Sequence, residues 1–194
     1  NDHVNASQST NDAYPTAVKL ATYAGIQRVV QALAALRSAF SAKAQEFAPV
    51  LKVGRTQLHD AVPMTLGQEF AAFASMIADD EKRLASSADL LCEINLGGTA
   101  IGTGINAPVG YMQAVVPALA QISGVPVRAA QDLIAATSDT GVFADLSGVL
   151  KRIAVKLSKI SNDLRLLSSG PQAGVADIHL PARQAGSSIM PGKV

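Results

Sequence analysis

Residues 138–167 read SDTGVFADLSGVLKRIAVKLSKISNDLRLL, and their period decides the fold class. Phe143, Leu146, Leu150, Ile153, Leu157, Ile160, Leu164 and Leu167 recur at alternating steps of 3 and 4 residues, the spacing of one helix face. Lys151, Arg152, Lys156, Lys159 and Arg165 occupy the other faces. The pattern predicts one uninterrupted helix over 138–167, about 45 Å long at 1.5 Å per residue. Gly170 and Pro171 end it, and the remainder reads as loop.

Working outward, the same period returns twice. Ile26, Val29, Leu33, Leu36 and Phe40 mark a helix to about Phe47, with Pro15 in its first turn and Asn11 or Asp12 as N-cap. Phe70, Phe73, Ile77, Leu84 and Leu91 mark a second over about 66–92, with Asp80 on the stripe. A shorter helix over about 111–123 is kinked or started by Pro117 and ended by Gly124 and Pro126. Between them, residues 48–65 read as an extended segment or hairpin, and 95–110 as a glycine-rich connector. Three helices of roughly 27 to 35 residues far exceed the usual 10–14 and are stable when laid side by side. The expected fold is all-α, an elongated long-helix bundle whose wide stripes pack against further copies of the chain.

Composition narrows the function. The formal net charge of +1 offers no footprint for nucleic acid. No apolar run approaches the ~20 residues that span a bilayer, so no membrane partner is expected. Cys92 is the only cysteine and sits among Leu90, Leu91 and Ile94, which predicts a buried, inert thiol in a cytoplasmic protein. His3, His59 and His179 are scattered without metal-ligand spacing, and the glycines of GGTAIGTG do not follow a strand. Neither a metal nor a cofactor is expected.

Three polar clusters remain: NASQSTND at 5–12, GRTQLHD at 54–60 and AGSSIMPGKV at 185–194. Each has a plain reading, as a helix cap, strand residues or a solvated loop. Together they place Ser, Thr, Asn and Lys at the ends of long helices, an anion-binding set without a metal.

In this order and wording, the clusters SQSTND, GRTQLHDAVPMTLGQEF and GSSIMPGKV resemble the three signature regions of the fumarase/aspartase superfamily, and NLGGTAIGTGIN and NDLRLLSSGP are similar to its class II members. Within it the wording is most similar to the aspartate ammonia-lyase branch; class II fumarases carry histidine directly after the threonine, where this chain has Gln57, with His59 two residues on. The resemblance implies the central domain of a homotetramer with a twenty-helix core and active sites shared between three subunits. Residues 1–194 would be that domain, without the family's N-terminal and C-terminal domains, and the asparagine two residues after the family's lysine would lie beyond Val194.

The implied reaction is reversible deamination of L-aspartate to fumarate and ammonia, with hydration of fumarate, another lyase reaction of the superfamily or a non-catalytic assembly role as alternatives. By resemblance Ser187 is the base, acting as an alkoxide in the loop of Gly186, Ser188, Ile189, Met190 and Gly192. Ser9, Thr10, Asn11, Thr56 and Gln57 hold the dicarboxylate, and Lys193 binds its α-carboxylate. Asn1 and Asp2 match a region implicated in an accessory anion site in fumarases.

Overall fold

The computed structural model describes all 194 residues. Five helices carry it: α1 (Thr10–Glu46), α2 (Leu66–Leu91), α3 (Tyr111–Ser123), α4 (Leu133–Ser138) and α5 (Gly141–Leu167). Four short strands accompany them: β1 (Leu51–Thr56), β2 (His59–Thr65), β3 (Glu93–Ile94) and β4 (Arg128–Ala129). The helical architecture follows the periodicity; the differences lie at helix ends, in the short helix α4, and in β3, a two-residue strand that precedes the glycines of GGTAIGTG where no strand was expected. The helix expected from residue 138 begins at Gly141, because Asp139 is extended and closes α4 instead, its N–H on the Ala135 carbonyl. At 27 residues α5 is about 40 Å long rather than 45 Å. Pro117 neither starts nor stops α3, which runs through it from Gly110 (φ 87°) to Gly124 (φ 69°).

Along α5 one seam is buried: Leu146, Ile153, Ile160 and Leu167 are each 6% exposed or less. The alternate seam is not, with Leu150 exposed and Phe143, Leu157 and Leu164 half-buried. The same heptad step buries Ile26, Leu33 and Phe40 on α1, and Ile77, Leu84 and Leu91 on α2.

The chain divides into two compact units. The first comprises Asn1–Ala35 and Ala78–Leu150. Its core gathers Ile94, Leu96, Val116 and Val127, with Ala13, Leu20, Met112 and Leu119 packed against them. In it β3 and β4 pair in parallel, Glu93 opposite Arg128 and Ile94 opposite Ala129, a contact too short to leave a strand period in the sequence. Cys92 is buried here, its thiol donating to the Ala88 carbonyl, and burial pushes its pKa up, away from the reactive thiolate.

The second unit comprises Leu36–Ile77 and Lys151–Val194. Four phenylalanines fill its centre: Phe40 lies edge-on to Phe70 at 6.0 Å, Phe70 meets Phe47 at 5.3 Å and Phe73 at 5.8 Å. Of the two forms expected for residues 48–65, β1 and β2 take the hairpin, with Val53 opposite Pro63 and Arg55 opposite Asp60. Gly54 thus faces two residues, a bulge, and a Cβ there would lie 3.0 Å from the Val62 carbonyl oxygen. Thr65 and Gln68 then cap α2 reciprocally: Thr65 Oγ1 accepts the Gln68 N–H at 3.1 Å, and Gln68 Oε1 accepts the Thr65 N–H at 2.9 Å.

Candidate active-site segments

The N-terminal cluster lies in the first unit. Residues 1–7 make turns, with the Asn5 N–H on the Asn1 carbonyl, and Asn1 and Asp2 are exposed there. Ser9, not Asn11 or Asp12, caps α1, so the helix starts before the expected point. Ser9 Oγ accepts the Asn11 N–H at 3.2 Å while Asp12 Oδ1 accepts the Ser9 N–H at 2.8 Å. This is a capping box, and the Ser-x-x-Asp spacing of residues 9–12 is its signature in the sequence. Thr10 and Asn11 follow on the exposed side of the first turn. Side-chain donors at the positive end of a helix dipole suit an anion.

The cluster is seated on the glycine-rich connector. Asp12 Oδ2 accepts the Gly97 N–H at 3.1 Å and the Thr99 N–H at 2.9 Å, and Asn11 Nδ2 donates to the Ala100 carbonyl at 2.7 Å. Pro15, inside α1, has no N–H for the carbonyl of Asn11 four residues before it. Asn95 Nδ2 serves that carbonyl instead, at 3.0 Å. The connector therefore holds this cluster, a relation that spacing alone does not reveal.

The other predicted residues lie in the second unit. Thr56 pairs with His59 across a two-residue turn of Gln57 (φ 50°) and Leu58 (φ 66°). Such turns favour Asn-Gly, because both positions need positive φ; two larger side chains hold this one under strain. Thr56 and Gln57 are exposed at the tip. Behind them Arg55 Nη1 donates to Asp177 Oδ2 at 2.8 Å and Arg55 Nε lies 3.2 Å from Asp60 Oδ1. Lys52, its side chain 6% exposed, meets Glu69 at 2.5 Å and Asp177 at 3.5 Å. One charge network thus ties β1 to the start of α2 and to the segment after α5.

The closing stretch is a pinned loop. The Arg183 and Gln184 N–H groups donate to the Lys193 carbonyl at 2.7 and 2.9 Å, and the Lys193 N–H returns to the Gln184 carbonyl at 3.2 Å. Inside it Ser187 and Met190 face each other: the Ser187 N–H donates to the Met190 carbonyl at 2.9 Å, and Ser187 Oγ accepts the Met190 N–H at 3.2 Å. Gly186 and Gly192 are needed for close approach rather than for unusual dihedrals. A Cβ on Gly186 would sit 2.7 Å from the Met190 carbonyl oxygen, and one on Gly192 would sit 2.7 Å from Ala182 Cβ. Ser187, Ser188, Ile189 and Lys193 are exposed, and Lys193 Nζ rests 3.3 Å from Met190 Sδ.

Arg55, Asp60, Asn95 and Asp177 are functional candidates beyond those expected. Asp177 stands in no local pattern, whereas Arg55 and Asp60 are part of the GRTQLHD cluster itself and Asn95 opens the NLGGTAIGTGIN stretch.

Comparison with known proteins agrees with the resemblance. A family profile described as lyase matches residues 1–194. The aspartate ammonia-lyase of Pseudomonas aeruginosa is 63% identical over 195 residues, covering 100% of this chain and 41% of that protein. The aspartate ammonia-lyase of Escherichia coli is 57% identical over 194 residues, covering 100% and 41%. The crystal structure of a fumarate lyase:delta crystallin from Brucella melitensis superposes with a TM-score of 0.96 at 60% identity, covering 100% of this chain and 42% of that one. A class II fumarase from Schistosoma mansoni gives 0.92 at 36% identity, covering 100% and 44%. The chain therefore spans about two-fifths of the length of the relatives it matches. With the lyase profile running its whole length and these relatives on both sides of the aspartase–fumarase division, the chain belongs to the fumarase/aspartase superfamily of lyases.

Proposed function

We propose that the parent protein deaminates L-aspartate to fumarate and ammonia, and that residues 1–194 are its central helical domain, with further domains on either side. The observation that carries the reading is the identity of 57–63% over the whole chain to aspartate ammonia-lyases of two genera. The lower identity to the class II fumarase, 36%, and Gln57 after the threonine weigh against fumarate hydration.

The difficulty in this chemistry is removing a weakly acidic proton from Cβ beside a carboxylate that is already negative. The carbanion places a second negative charge on that carboxylate, so donors must be in place where charge develops. Ser9, Thr10 and Asn11 offer side-chain hydrogen bonds at the helix N-terminus, and Thr56 and Gln57 offer more from the hairpin tip. Ser187 takes the Cβ proton as an alkoxide, and ammonia leaves from Cα on the opposite face. A serine oxyanion needs strong local stabilisation. The Met190 N–H directed at Ser187 Oγ is a fixed donor of the right kind. Lys193 pairs with the α-carboxylate, and Asn1 and Asp2 belong to an accessory anion site.

We place four copies in the assembly, each site drawing on three of them. The exposed placement of Ser187, Thr56 and Thr10 in a single chain supports this, since water must be excluded from a site that forms a dianion.

The test is steady-state turnover of the full-length parent on aspartate and on malate. Aspartate turnover with little malate turnover is expected, and the reverse would make the protein a fumarase. Activity on neither would favour a non-catalytic assembly module. Ser187→Ala should reduce aspartate turnover by at least about a thousandfold while leaving the assembly intact; retained turnover removes Ser187 from the base role.

A further inference from the structure

We propose that Asp12 and Asn95 are positioning residues of the anion site: a buried clamp that fixes Ser9, Thr10 and Asn11 in the geometry the charged intermediate needs. The proposal rests on the reading of those three residues as dicarboxylate ligands. Asp12 is 0% exposed and Asn95 1% exposed, so neither touches a bound molecule. They act through the backbone that carries the ligands.

Asp12 gathers three backbone N–H donors from two segments: Ser9 at 2.8 Å on one oxygen, Gly97 at 3.1 Å and Thr99 at 2.9 Å on the other. Only a carboxylate can do this. An asparagine amide has one acceptor oxygen, and its NH2 group would face a donor. Bonds from N–H to an ionised carboxylate are also roughly twice as strong as neutral ones. One of the three donors belongs to Thr99, a β-branched residue at φ 57°, in the left-handed region that such side chains avoid. Asp12 thus holds a strained loop in place, and the next residue's carbonyl, Ala100, receives the Asn11 side chain at 2.7 Å.

Asn95 completes the clamp from the other side. Its Nδ2 donates to the Asn11 carbonyl at 3.0 Å and to Thr137 Oγ1 at 3.0 Å. Thr137 Oγ1 in turn donates to the Leu133 carbonyl at 2.7 Å, which anchors Asn95 on α4. The Asn11 carbonyl is the one that Pro15 leaves without a helix partner, so the proline and the asparagine operate as a pair. Residues 9–11 are consequently fixed at both ends and at the Asn11 side chain. A loose first turn would still bind a dicarboxylate, but would meet the developing charge less well.

The test compares the full-length parent with Asp12→Asn and Asn95→Ala. Three quantities are measured: aspartate turnover, affinity for succinate as an unreactive dicarboxylate, and affinity for a 3-nitro analogue of aspartate. The ionised nitro group of that analogue carries two negative oxygens where the intermediate does. Expected is a loss of kcat/KM on the order of 10²-fold, carried mainly by kcat, because small misplacements of this kind are that costly. Nitronate affinity should fall by a comparable factor, and succinate affinity by less than about threefold. Lower thermal stability with parental kcat per folded site and parental nitronate affinity would make both residues purely structural and overturn the proposal. Asn95→Ala keeps the carboxylate, so it answers the question if Asp12→Asn does not fold. A parent that fails on aspartate defeats the functional reading alone. The binding comparison then decides: weaker nitronate binding in the variants than in the parent sustains the clamp, while equal binding, or none in the parent, overturns it.

Discussion

Lys19 shows how a single side chain records its surroundings. Its ammonium donates to the Glu93 carbonyl at 2.6 Å from a position only 9% exposed. Burial lowers its pKa from 10.5, and the nearby Glu93 and Asp139 carboxylates offset part of that. The unfolded chain therefore binds this proton more tightly than the native one. Between the lowered native value and the ordinary lysine value near 10.5, the unfolded state carries the excess proton, and stability rises with pH across that window. Urea unfolding at pH 7.5 and at higher pH should show this gain in the parent and lose it in Lys19→Met. An equal pH slope in both would mean that the buried charge carries no penalty. The apolar stripe of α1 offers no hint of such a lysine, because its burial depends on β3 reaching it across 74 residues of chain.

At the scale of elements, the helices were legible and their seating was not. The period of residues 138–167 identifies α5 because burying one face of a helix requires apolar residues at that spacing. Its start at Gly141 depends on Asp139, whose side chain accepts the Gly141 N–H at 2.7 Å, a local competition that periodicity does not register. Gly67 illustrates seating. It lies one residue inside α2, where propensity would favour alanine, yet a Cβ would come within 2.5 Å of the Ala44 carbonyl oxygen and 2.7 Å of Ala48 Cα. Both neighbours are backbone, so Gly67→Ala should destabilise the protein by about 1–3 kcal/mol despite the better helix former. A thermal melt unchanged or raised by the substitution would show that the end of α1 and the start of α2 can separate freely. The hairpin illustrates the same division. Pro49, Gly54 and Pro63 announce an irregular extended segment, but the two positive φ values at Gln57 and Leu58 have no sequence sign.

For the whole molecule, the two seams of α5 differ in a way that bears on assembly. Leu146, Ile153, Ile160 and Leu167 are consumed within the chain, whereas Leu150 stays 41% exposed with Phe143, Leu157 and Leu164 half-covered. Covering the part of such a side chain that is still exposed is worth about 1 kcal/mol, and the seam repeats it along the helix, so a partner helix has a reason to lie there. If the proposed tetramer forms through this seam, Leu150→Glu and Leu157→Glu together should shift the sedimentation of the full-length protein from four copies to smaller species while helicity is retained. A tetramer that survives both changes would place the assembly surface elsewhere. The sequence by itself determined the helical class, the long rods, the inert thiol and the three polar clusters. Each of these follows from local chemistry: the period of an amphipathic face, the apolar neighbours of Cys92, the side chains that suit turns and caps. Only the tertiary structure decided which segments hold those clusters. The connector fixes Ser9–Asn11 through Asp12 and Asn95, and Asp177 fixes the hairpin through Arg55. The reason is that a hydrogen bond across 85 or 122 residues leaves no period in the chain; it exists only once packing has brought a donor and an acceptor within reach of each other.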